Sequence, residues 1–232
     1  FDLAPGSGRD GHMNDFSIIW GVNADNGKGN ITGYATYRDI KAVTQDNRDY
    51  SICSLAGGPG DYSCGGSGTI PDGRLTDFVD YDYYIDQGTF QEYDGRLYNF
   101  GPRNYFQRPD ERVTLGAFGH YEINKNMEFF GEVGFVKDRS VSQIAESGAF
   151  FPQVDLSCDN PFLSPQQASV LCGPGGPATV SGDPNVWEGV YIGKRNVEGG
   201  PRQNDIQHLS YRGVFGIRGY LNDTWSYDVS AN

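Results

Sequence analysis

The stretch RVTLGAFGHYEINKNMEFFGEVGFVKDRS, residues 112–140, sets the reading of the whole chain. Its odd positions are Val113, Leu115, Ala117, Gly119, Tyr121 and Ile123, then Met127, Phe129, Gly131, Val133 and Phe135. Side chains of a strand alternate between the two faces of its sheet, so these are two strands sharing one apolar face. The even positions hold Arg112, His120, Glu122, Glu128 and Glu132, with Phe118, Phe130 and Val136 as apolar exceptions. A one-residue slip would turn every side chain over, so paired residues must share parity. The turn then holds an odd number of residues, Asn124 to Asn126. Ile123 is expected opposite Met127, with Tyr121 beside Phe129 and Glu122 facing Glu128.

Two further hairpins have the same design. Leu209, Tyr211, Gly213, Phe215, Ile217, Gly219 and Leu221 lead through NDT to Trp225, Tyr227 and Val229, with Ser210, Arg212, Arg218, Ser226 and Asp228 on the other face. Phe16, Ile18, Trp20 and Val22 pair with Ile31, Gly33, Ala35 and Tyr37 around NADNGKGN. Parity changes across that loop, which must therefore hold an even number of residues, Asp25 to Lys28. A soluble sandwich alternates in the same way, so this pattern alone does not identify the solvent.

Connection lengths separate the alternatives. The hairpin turns are brief, but the segments joining the hairpins run from about 46 to 104 and from about 147 to 205. Compact domains seldom carry loops above roughly 15 residues, whereas outer-membrane barrels have short turns at one end and long extracellular loops at the other. The expected fold is all-β: an antiparallel transmembrane barrel segment, residues 1–232, with strands at about 14–23, 29–44, 105–124, 126–144, 206–221 and 224–232. Val113 to Ile123 supplies about 11 residues, enough for a tilted strand to cross the hydrocarbon. Trp20, Tyr121, Phe129, Trp225 and Tyr227 lie near the short turns, where an interfacial aromatic girdle is expected. The alternation still runs at WSYDVSAN, so the chain reads as an internal segment of a longer one.

Composition excludes other classes. The 232 residues include 33 glycines, 15 tyrosines and 14 phenylalanines. No segment approaches the roughly 20 apolar residues of a spanning helix, and only SPQQASVLC, from Ser164, hints at a helical turn. The net charge of -12 argues against nucleic acid, which needs concentrated Lys and Arg. The four cysteines form local pairs, Cys53 with Cys64 and Cys158 with Cys172, in Gly/Pro/Ser-rich loops without a nearby histidine. That spacing suits two disulfides and an oxidising compartment better than zinc, with free thiols as the alternative.

YNFGPRNYFQRPDERVTLGAFGHYEINKNMEFFGEVGFVKDRSVSQIAESG, CDNPFLSPQQ, IGKRNVEGGPR and YRGVFGIRGYLNDTWSYDVSA together resemble the barrel of TonB-dependent outer-membrane receptors of Gram-negative bacteria. The likeness runs from about Asn14 to the end and is densest over 98–144 and 192–231. It implies a 22-stranded barrel filled by an N-terminal plug, which imports a scarce ligand such as a siderophore, cobalamin, glycan or peptide through TonB. This segment would supply an early portion of that barrel, and the plug and TonB box lie outside it. The implied partners are outer-membrane lipid, lipopolysaccharide, the plug, TonB and the imported ligand.

Candidate chemistry is sparse. GSGRDG, with Gly6, Gly8 and Gly11, matches a dinucleotide fingerprint literally but lacks the preceding strand and following helix. The loop DFVDYDYYIDQGTFQEYDGR interleaves carboxylates with aromatics, and Tyr81, Tyr83 and Tyr84 are candidates for ligand contact. Calcium is a weak alternative there, because the calcium-loop pattern is absent; otherwise no cofactor or metal is expected. In KRNVEGGPRQND, Arg195, Asn196 and Arg202 are placed to recognise carboxylate or phosphate, of a ligand or of lipopolysaccharide, or to brace the loop base through salt bridges. Arg112, His120, Glu122, Glu128, Glu132, Arg212 and Arg218 are expected to face the lumen. Glu122 and Glu128 need a compensating partner there, such as a plug arginine or water. His12, His120 and His208 share no metal or catalytic spacing, and no nucleophile or metalloprotease motif is present, so no enzymatic activity is expected. The leading reading is an active importer. A passive porin-like barrel and a secreted carbohydrate-binding sandwich are the alternatives.

Overall fold

The computed structural model describes residues 10–180 and 185–232. In chain order the strands are β1 (Met13–Asn23), β2 (Gly29–Ile40), β3 (Val43–Thr44), β4 (Leu55–Gly58), β5 (Asp61–Cys64), β6 (Arg74–Thr76), β7 (Asp82–Asp86), β8 (Thr89–Glu92), β9 (Tyr105–Gln107), β10 (Asp110–Asn124), β11 (Met127–Glu146), β12 (Gly148–Ser157), β13 (Val186–Arg195), β14 (Pro201–Tyr220) and β15 (Ser226–Ala231). Helices α1 (Pro165–Cys172) and α2 (Pro177–Val180) lie between β12 and β13. Strand takes 61% of the residues and helix 9%, so the chain is all-β, built of antiparallel sheets, none of them closed. No described helix is long and apolar enough to cross a membrane. Among the described residues, 10–43, 105–142 and 203–232 form one compact unit and 44–104 and 143–202 another.

The first unit is dominated by a six-stranded sheet in the order β1-β2-β10-β11-β14-β15, in which three hairpins lie side by side in chain order. The β1–β2 ladder puts Phe16 opposite Tyr37 and Asn23 opposite Asn30. Ala24 then donates its N–H to the Gly29 carbonyl, which leaves Asp25 to Lys28 as the even loop that parity demanded. Between β14 and β15, Ile217 faces Val229, and Leu221 donates to the Trp225 carbonyl around Asn222–Thr224.

In the β10–β11 hairpin, Tyr121 faces Phe129 and Glu122 faces Glu128, but the expected Ile123–Met127 pair is absent. Asn124 pairs with Met127 instead, and the register shifts after Glu122, so Ile123 is the extra residue of a bulge. The cause is local: the Asn124 side chain accepts the N–H of Asn126 at 2.9 Å, an Asx-turn that tightens the loop to Lys125 and Asn126.

Two expected strands are shorter than their alternation suggested. The run from 29 to 44 stops at Ile40, and β3 pairs separately with β9. The run from 105 to 124 is interrupted before Asp110 at Pro109, which has no N–H to offer a ladder.

Glycines on these strands sit under aromatic rings. A Cβ on Gly33 would come within 2.3 Å of the Trp20 indole, and one on Gly116 within 2.4 Å of the Tyr34 ring. Gly33 is the ladder partner of Trp20, and Gly116 that of Tyr34. The bare backbone makes room for a ring to lie flat across the strand.

The second unit is built from the two long connections, which carry structure that the alternation did not reveal. It contains a five-stranded sheet, β12-β13-β6-β7-β8, which takes β6 to β8 from the first connection and β12 and β13 from the second. Leu75, Phe90, Leu171, Ala178, Trp187 and Val190 form its buried core. Leu171 reaches that core from α1, which begins with a capping box: Ser164 and Gln167 each satisfy the other's backbone N–H. The sequence missed this sheet because its strands are only three to five residues long in β6–β8 and carry no sustained alternation. The disulfides are Cys53–Cys64, which ties β5 to the turn before β4, and Cys158–Cys172, which fixes the end of α1.

Candidate functional site

The even face of the six-stranded sheet collects the residues expected to face a lumen and pairs most of their charges. Arg38 donates to Asp15 at 2.9 Å, and Arg112, directly opposite Arg38 in the ladder, lies 3.9 Å from Asp110. Asp138, opposite Arg112, approaches His208 at 3.2 Å. Arg212 binds Glu132 at 2.8 Å, and Arg218 binds Glu128 at 2.5 Å. The like-charged Glu122–Glu128 pair is therefore relieved by an arginine of the same sheet, from β14. Arg218 also lies 5.1 Å from the Phe130 ring. His120 sits in the ladder between Asn30 and Phe130. Near the short turns, Glu122, Lys125, Glu128, Arg218 and Asp228 line an open hollow of about 500 Å³.

The odd face of β10 and β11 is shared by even positions of β1, where parity changes, and carries Phe16, Ile18, Trp20, Ile31, Leu115, Tyr121, Phe129, Val133, Tyr211, Phe215 and Val229, all exposed; Phe16 is 67% and Tyr211 72% accessible. Exposed pairs such as those of the even face contribute about 1 kcal/mol or less each. Removing one of these large apolar side chains from water is worth roughly 1.5–3 kcal/mol. What covers the odd face therefore matters more to this sheet than its ion pairs do.

In the second unit, the tyrosine-rich segment is mostly committed to packing. Tyr81 and Tyr83 pack against the core, with Tyr81 edge-on to Trp187 at 6.0 Å and Tyr83 stacked on Phe90 at 5.7 Å. Burial pushes the Tyr83 phenol above its usual range. Tyr84 is covered by the Arg96 guanidinium, 3.7 Å from its ring. All three rings, expected as ligand contacts, are half-exposed and each has an aromatic or guanidinium neighbour. Alternation explains it: Tyr81, Tyr83 and Ile85 share the inner side of the β7 segment.

Asp77, the first carboxylate of this segment, is a turn former. Burial alone would raise its pKa, but the N–H groups of Tyr81, Val79 and Asp80, all at 2.9 Å, hold it below the usual range. Among the described residues, no three His, Cys, Asp or Glu side chains are placed to hold a metal ion. Gly6 and Gly8 of GSGRDG lie outside the described residues.

Two arginine centres remain. Arg74 grips Asp82 with Nε at 2.7 Å and a terminal nitrogen at 2.5 Å, and its guanidinium lies 3.8 Å from the Tyr93 ring. Those bonds hold its pKa above the ordinary arginine value. The second centre joins Arg195 and Arg202 around Phe150, at 4.7 and 6.0 Å from that ring. Arg195 donates to the Glu146 carbonyl at 2.9 Å and Arg202 to the Ala145 carbonyl at 2.8 Å. Asn196 is held by its backbone, donating to the Ser147 carbonyl at 2.8 Å, and contributes to the turn rather than to the pocket. Phe150 serves this pocket while Phe151, at a bulge with φ 54°, faces Arg74. Sequence reading singled out Arg195 and Arg202 from their loop, but it missed Arg74, Glu146 and Phe150, whose roles depend on long-range contacts. No protein-family model matches the chain, and neither a curated protein nor a solved structure does.

Proposed function

We propose that this chain is part of an outer-membrane β-barrel of the TonB-dependent receptor kind, an importer that captures a scarce ligand outside the cell and passes it inward. The observation that carries the reading is the exposed odd face. It runs across three short-turned hairpins that lie side by side in chain order, opposite a face of paired charges. In water such a face is a liability; against lipid it is the lowest-energy arrangement, and a closed barrel also removes the open edges of the sheet. The two disulfides favour a compartment outside the cytoplasm. The second unit would then stand on the extracellular side, where its folded sheet presents fixed surfaces to ligand and lipopolysaccharide. The plug and TonB are partners implied by the resemblance. The charge pairs of the even face would line the lumen, and no covalent chemistry is involved.

Fractionation of a Gram-negative host that makes the full-length protein tests the proposal. The protein is expected in the outer membrane, resistant to salt and carbonate washes and released by detergent. Recovery in the aqueous phase would refute a membrane role. Ligand uptake should stop when the proton-motive force is dissipated; uptake indifferent to that force would indicate a passive pore.

A further inference from the structure

The pocket beside Phe150 differs from the rest of this acidic chain. It has a volume of about 290 Å³, at the small end of ligand sites, and is lined by Ser67, Phe100, Asn104, Ile144, Phe150 and the two arginines, among others. Arg195 is only 4% exposed, and its Nε is buried without a hydrogen-bond partner among the described residues. Buried polar groups are nearly always satisfied, and an unused donor on a charged group costs about 1–3 kcal/mol or more. The hydrogen bonds shown for Arg195 and Arg202 go to backbone carbonyls, not to a carboxylate. The nearby carboxylate of Glu146 is engaged elsewhere, accepting from the Tyr98 hydroxyl at 2.6 Å and lying 3.4 Å from Arg103 Nε. Arg103 and Arg195 thus both draw on this one carboxylate. Burial works against the Arg195 charge, and the neighbouring Arg202 adds to that effect.

We propose that this pocket binds a small organic anion, a carboxylate or phosphate carried on an aromatic or apolar stem. The anion would displace the atoms that close off the Arg195 Nε and take that donor together with terminal nitrogens of Arg202, in the forked geometry that guanidinium groups offer to carboxylate and phosphate. The stem would lie against Phe150 and Phe100. Its role in uptake rests on the importer reading, but the binding itself does not.

Titration calorimetry of the full-length protein in detergent, with benzoate, phenyl phosphate, inorganic phosphate and neutral benzamide, tests the assignment. Saturable binding of benzoate or phenyl phosphate is expected, with benzamide at least tenfold weaker; whichever anion binds tighter identifies the head group. Arg202→Gln, at an exposed position, should weaken anion binding tenfold or more. Phe150→Leu should weaken the aromatic anions and spare inorganic phosphate. Arg195→Lys keeps the charge but loses the fork and should also weaken binding, with Trp187 emission reporting that the fold survives. Absence of saturable binding by any anion, or binding unchanged in Arg202→Gln, would overturn the proposal. Outer-membrane residence without anion binding would sink the pocket alone, and anion binding by a water-soluble protein would sink the importer reading alone.

Discussion

Glu146 is 1% exposed, yet it carries a carboxylate, and what makes that tolerable is a donor on either side. The Tyr98 hydroxyl donates at 2.6 Å, and Arg103 stands 3.4 Å away. Burial, and then this hydrogen bond, push the Tyr98 phenol up to about 12. The unfolded phenol titrates near ~10. The folded state therefore favours the neutral phenol: the stabilisation is complete below about pH 10 and is lost as pH rises through about 12. Denaturant melts followed by Trp187 emission should show a stability loss in that window for the native protein. Tyr98→Phe should remove that pH dependence and cost about 1–3 kcal/mol at neutral pH, because Glu146 loses a donor. A Tyr98→Phe profile parallel to that of the native protein would refute this assignment. Arg74 permits a second test at this scale. Its two bonds to Asp82 are lost in Arg74→Met, which keeps the stem and should cost about 2–3 kcal/mol on the same probe.

At the scale of elements, α1 docks on β8 through one side chain. Gln166 accepts the N–H of Phe90 at 2.9 Å and donates to its carbonyl at 3.1 Å, so its amide acts as a short substitute for a further strand on that edge. Gln166→Leu leaves both backbone groups of Phe90 unpaired. It should cost about 1–3 kcal/mol, and hydrogen exchange at the Phe90 amide should accelerate; exchange unchanged in the variant would mean that water replaces the clamp. Nothing in the sequence announces this contact, which joins residues 76 positions apart. The hairpins were legible for the opposite reason. Their period of two is local, and parity alone gave the loops of β1–β2 and β14–β15. It failed by one pair at β10–β11, where Asn124 bonds the turn with its side chain, an interaction that alternation does not encode.

Over the whole molecule, the same distinction between local and distant contacts separates what could be read from what could not. The six-stranded sheet and its two-faced character follow from alternation, whereas the second unit is assembled from connections about forty residues apart in the chain, and its strands β6–β8 are too short to carry a period. Of the candidate site, Arg195 and Arg202 were visible as a basic cluster, but the Phe150 wall and the occupied Glu146 were not. The two disulfides both lie in this second unit, and each closes a loop of a size that contributes roughly 3 kcal/mol. Cys158 and Cys172 also pack against its core. Reduction should therefore lower the unfolding midpoint reported by Trp187, buried in that core, and leave the midpoint reported by Trp20 and Trp225 on the six-stranded sheet unchanged. Variants of the full-length protein that retain one or other set of tryptophans, melted in detergent with and without reductant, make the comparison. If both midpoints fall together, the two units do not hold their stability separately; if neither falls, the disulfides contribute nothing measurable to the fold.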